Sequence, residues 1–159
     1  MIISFYLNGQ PFEADILPHR RAVDLLREEC GIKSVRYRCR DAACGACLIL
    51  VADRPVHSCL LPAFELRLKD VWTMEGLSML KGFEDIVAGF AAADARPCSY
   101  CAPARSLAVE ALLRQTLRPT TEQIRETSAI VRCGCMPPSR MDNAVLRSAR
   151  KREARIHAS

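Results

Sequence analysis

With 159 residues, half of them hydrophobic, the chain is long enough for one ordinary domain or two small ones and can bury a core. No run approaches the ~18 apolar residues of a transmembrane helix. The formal net charge of +5 is gathered near the C-terminus, where Arg140, Arg147, Arg150, Lys151, Arg152 and Arg155 outnumber Asp142 and Glu153. A nucleic-acid role needs a recognised fold or interleaved aromatics as well. The expectation is a solvated basic tail, or a surface facing an acidic protein partner.

The opening MIISFYLNG has neither a basic n-region nor an apolar h-region, and nine cysteines is an odd number. The expected compartment is a reducing cytoplasm, with thiols rather than disulfides. Ile3, Phe5 and Leu7 alternate with polar residues, and Asn8-Gly9 supplies the positive φ angles of a tight hairpin turn. Phe12, Ala14 and Ile16 continue the alternation on a return strand that Pro18 ends. Val23, Leu25 and Leu26 then mark one face of a short helix, with Gly31 placed to cap it. Cys30 lies outside any ligand spacing and reads as a small buried apolar residue.

The chain is organised around the stretch that follows. Cys39, Cys44 and Cys47 form a C-x4-C-x2-C run, and Cys59 follows after eleven residues. Gly45 and Ala46 let one short loop wrap a small inorganic core, which the distant fourth thiol closes. This is the plant-type spacing for a [2Fe–2S] cluster held by four thiolates. Structural zinc prefers two short C-x2-C pairs. A Rieske centre needs two histidines on one iron, and lone His57 reads as structural. Leu48 to Val51 is an apolar strand, Asp53-Arg54-Pro55 a turn, and Val56 leads back to Cys59. Val71 to Met74 is the last strand candidate. Hairpin, helix, cluster loop and further strands follow the order of a β-grasp ferredoxin.

Beyond Lys81 the period becomes helical. Phe83, Ile86, Val87 and Phe90 predict one helix, and Leu107, Val109, Leu112 and Leu113 a second. Pro119-Thr120-Thr121-Glu122 opens a third, with Ile124 and Ile130 on its buried face and Pro137-Pro138 as its stop. A last helix from Met141 to about Arg152 packs Val145 and Leu146. A second thiol set, Cys98, Cys101, Cys133 and Cys135, is spaced as C-x2-C and C-x-C. Two pairs at the ends of antiparallel helices can meet at one point, and helix N-termini direct N–H groups at anionic sulfur. Alone, this set suits zinc about as readily as iron. Beside a plant-type site in one short chain, the weight moves to a second cluster.

The whole pattern resembles the small iron–sulfur subunit of the molybdenum hydroxylases, the family of xanthine dehydrogenase, aldehyde oxidoreductase and aerobic carbon monoxide dehydrogenase. Both cysteine sets carry the resemblance, with Cys44-Gly45-Ala46-Cys47, Met74-Glu75-Gly76-Leu77 and Pro119-Thr120-Thr121-Glu122-Gln123-Ile124-Arg125-Glu126. It implies an α+β chain: residues 1–76 form a β-grasp, ferredoxin-like [2Fe–2S] domain, and residues 77–159 a four-helix [2Fe–2S]-binding domain with a basic tail. It also implies an electron relay without substrate chemistry of its own. Electrons would come from a molybdopterin-containing large subunit, cross both clusters, and leave to an FAD-binding subunit or another acceptor. The alternative is a two-cluster carrier for a flavin-dependent dehydrogenase without molybdenum.

Gly45, in the loop around the first core, and Pro97, at the position facing the pterin in the family, are the candidate cofactor-contacting positions. The family usually has Gln where this chain has Pro97, which offers no side-chain amide. Gly134 stands where the family has Arg, and Met136-Pro137-Pro138 replaces Thr-Gly-Tyr. Arg38 and Arg40 stand near positions where the family prefers glycine or an acid. They are expected either to meet an acidic partner near the electron exit or simply to face solvent.

Overall fold

The computed structural model describes residues 1–159. Strands β1 (Ile2–Leu7) and β2 (Gln10–Asp15) form the expected hairpin, turned by Asn8 and Gly9 at φ of 52° and 80°. Helix α1 (Ala22–Glu28) follows, with Gly31 at φ 68° just beyond it. Next come β3 (Leu48–Val51), β4 (Arg54–His57), a 3₁₀ turn (Ala63–Leu66) and β5 (Asp70–Trp72). The strands make one sheet in the order β2-β1-β5-β3-β4, with β1 and β5 parallel and the other pairs antiparallel.

The β3–β4 turn falls one residue earlier than expected. Ala52 and Asp53 take φ of 48° and 64°, the two left-handed residues of a two-residue hairpin turn, so Arg54 and Pro55 belong to β4. Pro55 is tolerated because β4 is an edge strand, where a missing N–H breaks no ladder. Likewise β5 ends at Trp72, and Met74 already begins the one-turn helix α2 (Met74–Leu77).

The helical half contains α3 (Phe83–Ala92), α4 (Ala102–Gln115), α5 (Thr121–Ala129) and α6 (Pro138–Ala158). Ile86 and Phe90 are buried, but Val87 faces solvent, so only part of the α3 stripe packs inward. Thr120 caps α5 through a reciprocal capping box with Gln123. Pro137 and Pro138 do not end α5, which stops at Ala129. They open α6, with Pro137 at the cap and Pro138 at the first helical position, where proline's missing N–H costs nothing.

The basic tail is likewise no tail. Helix α6 runs to Ala158 and leaves Arg140, Arg147, Arg150 and Lys151 exposed as expected, but it turns Arg152 inward. Arg152 is buried, its Nε 2.6 Å from Asp85 and a terminal nitrogen 2.7 Å from Glu110. Arg155 reaches Asp85 at 2.9 Å. On α4, Arg114 pairs with Glu110 at 2.9 Å, bonds Asp53 of the β3–β4 turn, and lies over the Trp72 ring. One charge network therefore runs from the edge hairpin through α4 to α3 and α6.

Three cores result. The first fills the space between the sheet and α1, around Phe5, Leu25 and Ile49, and the second lies among α3 to α6, around Ile86, Val109 and Val145. The third lies between the halves. All four β3 residues are buried because Ile49 and Val51 face the α1 side, while Leu48 and Leu50 pack with Leu77, Leu107 and Val131. Each leucine so buried contributes about 1.5–3 kcal/mol.

Glu75 on α2 ties the loop after α1 to the linker. It accepts the Lys33 and Ser34 N–H groups at 3.0 and 2.9 Å, and the Ser34 and Thr73 hydroxyls at 2.6 and 2.8 Å. Partial burial works to raise its pKa, but the bonds from Ser34 and Thr73 outweigh it and hold the carboxyl below its ordinary value. A folded pKa below the unfolded one means stability present above pH ~4.5 and lost as the carboxylate is protonated. Glu75→Gln should cost about 1 kcal/mol at neutral pH and flatten the acid limb of a stability–pH curve. An unchanged limb would show that Glu75 contributes none of it.

Candidate metal centre

The second thiol set converges. Cys98 and Cys101 precede and cap α4, and Cys133 and Cys135 lie between α5 and α6. Their four sulfurs lie within 4.8 Å of one another, with contacts of 3.6 Å (Cys98–Cys101), 3.7 Å (Cys98–Cys133) and 3.5 Å (Cys101–Cys135). Thiolates about 2.3 Å from a tetrahedral ion stand roughly 3.8 Å apart. The donors fit a thiophilic metal, and this spacing accepts zinc or iron alike.

The pair on the approach to α4 is electrostatically split. Backbone N–H groups, chiefly that of Cys101, lower the Cys98 thiol to about 7. Burial pushes Cys101 up to about 12 although Arg105 opposes it. Because metal ligands bind as thiolates, uptake releases the Cys101 proton.

In the first set, the loop folds its own amides onto sulfur. The Cys44 N–H donates to Cys39 Sγ at 3.4 Å and the Ala46 N–H to Cys44 Sγ at 3.5 Å. Such donors favour anionic sulfur, and the Cys44 amide is the main cause of the lowered Cys39 pKa. Cys47 and Cys59 are buried side by side at the base of the β3–β4 hairpin. Burial first, with the neighbouring Cys59, raises Cys47 to about 12. The Ser58 hydroxyl donates to the Cys47 carbonyl at 2.6 Å and pins that base. Amides directed at sulfur suit an anionic cluster, but only the second set gathers four sulfurs at one point; the first set shows Cys39 beside Cys44 and Cys47 beside Cys59.

Cys30 is half-buried against the first core, and burial raises its thiol to about 12, as an inert packing residue requires. His57 sits on β4 with Nε2 buried and unpartnered. Gly45 is buried at φ 71°, pressed against the Ile130 backbone. Pro97 is half-buried beside Cys98, and Gly134 is exposed with no atom near its missing side chain. Arg38 and Arg40 are exposed, and Arg40 takes the left-handed φ of 64° usual for glycine while its guanidinium lies over Tyr37.

The two sets adjoin. The Cys44 carbonyl accepts the Arg132 N–H at 2.9 Å, and Cys133 is the next residue. Tyr100, between the α4 cysteines, lies beside Cys44 with its hydroxyl buried and its ring beneath Arg36. The sequence reading missed Tyr100 and also Arg105, whose Nε donates to Cys101 Sγ at 3.4 Å. A signal for Arg105 existed in its place one turn after Cys101 on the same helix. A cleft of about 460 Å³ opens beside Cys133, lined by Arg105, Arg125, Arg132, Met136 and Asp142 among others.

Comparison with known proteins matches residues 5–71 to the 2Fe-2S iron-sulfur cluster binding domain and residues 73–146 to the [2Fe-2S] binding domain. The chain is 32% identical over 133 residues to the nicotinate dehydrogenase small FeS subunit of Eubacterium barkeri, covering 84% of this chain and 85% of that one. It is 31% identical over 142 residues to the xanthine dehydrogenase iron-sulfur-binding subunit of Escherichia coli O157:H7, covering 88% and 89%. Quinoline 2-oxidoreductase from Pseudomonas putida 86 superposes with a TM-score of 0.85 at 26% identity, over 97% of this chain and 96% of that chain.

Proposed function

Since the chain belongs to the small [2Fe–2S] subunits of the molybdenum hydroxylase family, we propose that it relays single electrons through two clusters, one on each side of a division at residue 76. Cys39, Cys44, Cys47 and Cys59 hold the first cluster. Cys98, Cys101, Cys133 and Cys135 hold the second. Each [2Fe–2S] core, when bound, takes up and gives up one electron at a time. The chain ligates the cores, aims amides at their sulfurs and buries them, which together set their potentials.

The observation that carries the reading is the Arg132 N–H to Cys44 carbonyl bond. One hydrogen bond joins a ligand of the first set to the residue before a ligand of the second, giving a short covalent and hydrogen-bonded route between them. In the assembly, a molybdopterin-bearing subunit supplies electrons on the second set's side and an FAD-bearing subunit takes them from the first. The half-buried Pro97 and bare Gly134 present backbone and ring, not side-chain donors, to the pterin side. Arg38 and Arg40 give the exit a cationic rim. The cytoplasm suits nine free thiols.

Iron and labile-sulfide analysis with electron paramagnetic resonance of the reduced chain tests this. Two distinct signals are expected, with Cys47→Ser removing or altering one and Cys135→Ser the other. Iron-free protein, or a single signal in the parent, would sink the relay. Copurification with metal and flavin analysis tests the partners, and a stable complex lacking molybdenum would refute the assigned donor.

A further inference from the structure

We propose that Arg105 is the fixed counter-charge of the second cluster and raises its reduction potential. The inference rests on the relay reading above. Arg105 is 4% exposed. Its guanidinium meets Cys101 Sγ at 3.4 Å, the Ser128 carbonyl at 3.5 Å and the Cys133 carbonyl at 3.4 Å. No carboxylate pairs with it. Arg125, Arg132 and Asp142 share its cleft, and Asp142 makes no ion pair with it.

The other deeply buried arginine behaves differently, since Arg152 meets two carboxylates. Burying an ion without an opposite charge costs several kcal/mol. Carbonyls, even those at the C-terminal end of α5, supply only partial charge. The missing anion for Arg105 would be the cluster held by Cys101, whose sulfur its Nε touches. Reduction adds one electron and one negative charge to that cluster, with no bond made or broken in the protein. A cation held at the ligand sulfur stabilises the reduced form more than the oxidised one.

The test is a redox titration of the full chain, followed by paramagnetic resonance, for the parent, Arg105→Gln and Arg105→Lys. Gln keeps N–H donors for the two carbonyls and loses the charge, while Lys keeps the charge. In the Gln variant the second cluster's reduction equilibrium is expected to fall at least about tenfold, about 59 mV for a one-electron couple. The first cluster stays put and the Lys variant remains nearer the parent. Loss of the second signal in Gln but not Lys supports the same assignment.

An unmoved potential in Gln, an equal drop in Lys, or loss of the second signal from both variants would overturn it and leave Arg105 a tie between α4 and the Cys133 loop. A parent without two signals would sink the relay reading and this assignment together, a pattern distinct from those.

Discussion

Gly45→Ala is expected to destabilise the chain by about 3–4 kcal/mol, lowering the melting temperature by roughly 10 °C at ~2–4 °C per kcal/mol for a chain of this size. Gly45 holds φ 71°, where a side chain costs about 1 kcal/mol or more. The larger part is steric. A β-carbon there would stand 2.1 Å from the Ile130 carbonyl oxygen and 3.0 Å from its carbon. Both obstacles are backbone, so relief requires the first cluster loop to withdraw from the segment leading to Cys133. Withdrawal stretches the Arg132–Cys44 bond. The variant should therefore also show weaker magnetic interaction between the two reduced centres. A parental melting temperature with parental spectra would mean that the loop yields at little cost.

Arg152→Met is expected to cost about 3–5 kcal/mol, because it strands Asp85 and Glu110, both buried, without their common partner. Arg155 and Arg114 each hold one of those carboxylates and soften the loss. Adding Asp85→Asn and Glu110→Gln to Arg152→Met should recover much of it, since what is expensive is a buried charge left over. Thermal denaturation of the two variants decides it. Equal melting temperatures for parent and Arg152→Met would show that the cluster of charges is solvated in practice.

Both sites were partly legible in the residue order. The thiol spacings singled out the eight positions we propose as ligands because a cluster demands them locally, and the fold brings the second four within 4.8 Å of one another. The Asn8-Gly9 turn and Thr120 cap were visible because they too are local. What escaped depends on packing across the chain. Four of the six cations near the C-terminus are exposed, as their spacing along the sequence suggests, and only the fold sets Arg152 against Asp85, 67 residues away. Pro137-Pro138 reads as a stop or a start with equal ease. The packing of α3 against α6 places Ile86 inside and Val87 outside. Arg105 was passed over because a charged residue in a helix is usually a surface residue, and its burial was not written in the spacing.

Leu48 and Leu50 belong to the helical half as much as to the sheet. The boundary between the two units is therefore not a joint that can flex: parting them would bare an oily seam to water. Tunnelling between redox centres weakens steeply with every added ångström. For the proposed relay, hydrocarbon filling this seam implies a fixed separation between the two thiol sets and leaves variability to the docking steps outside the chain.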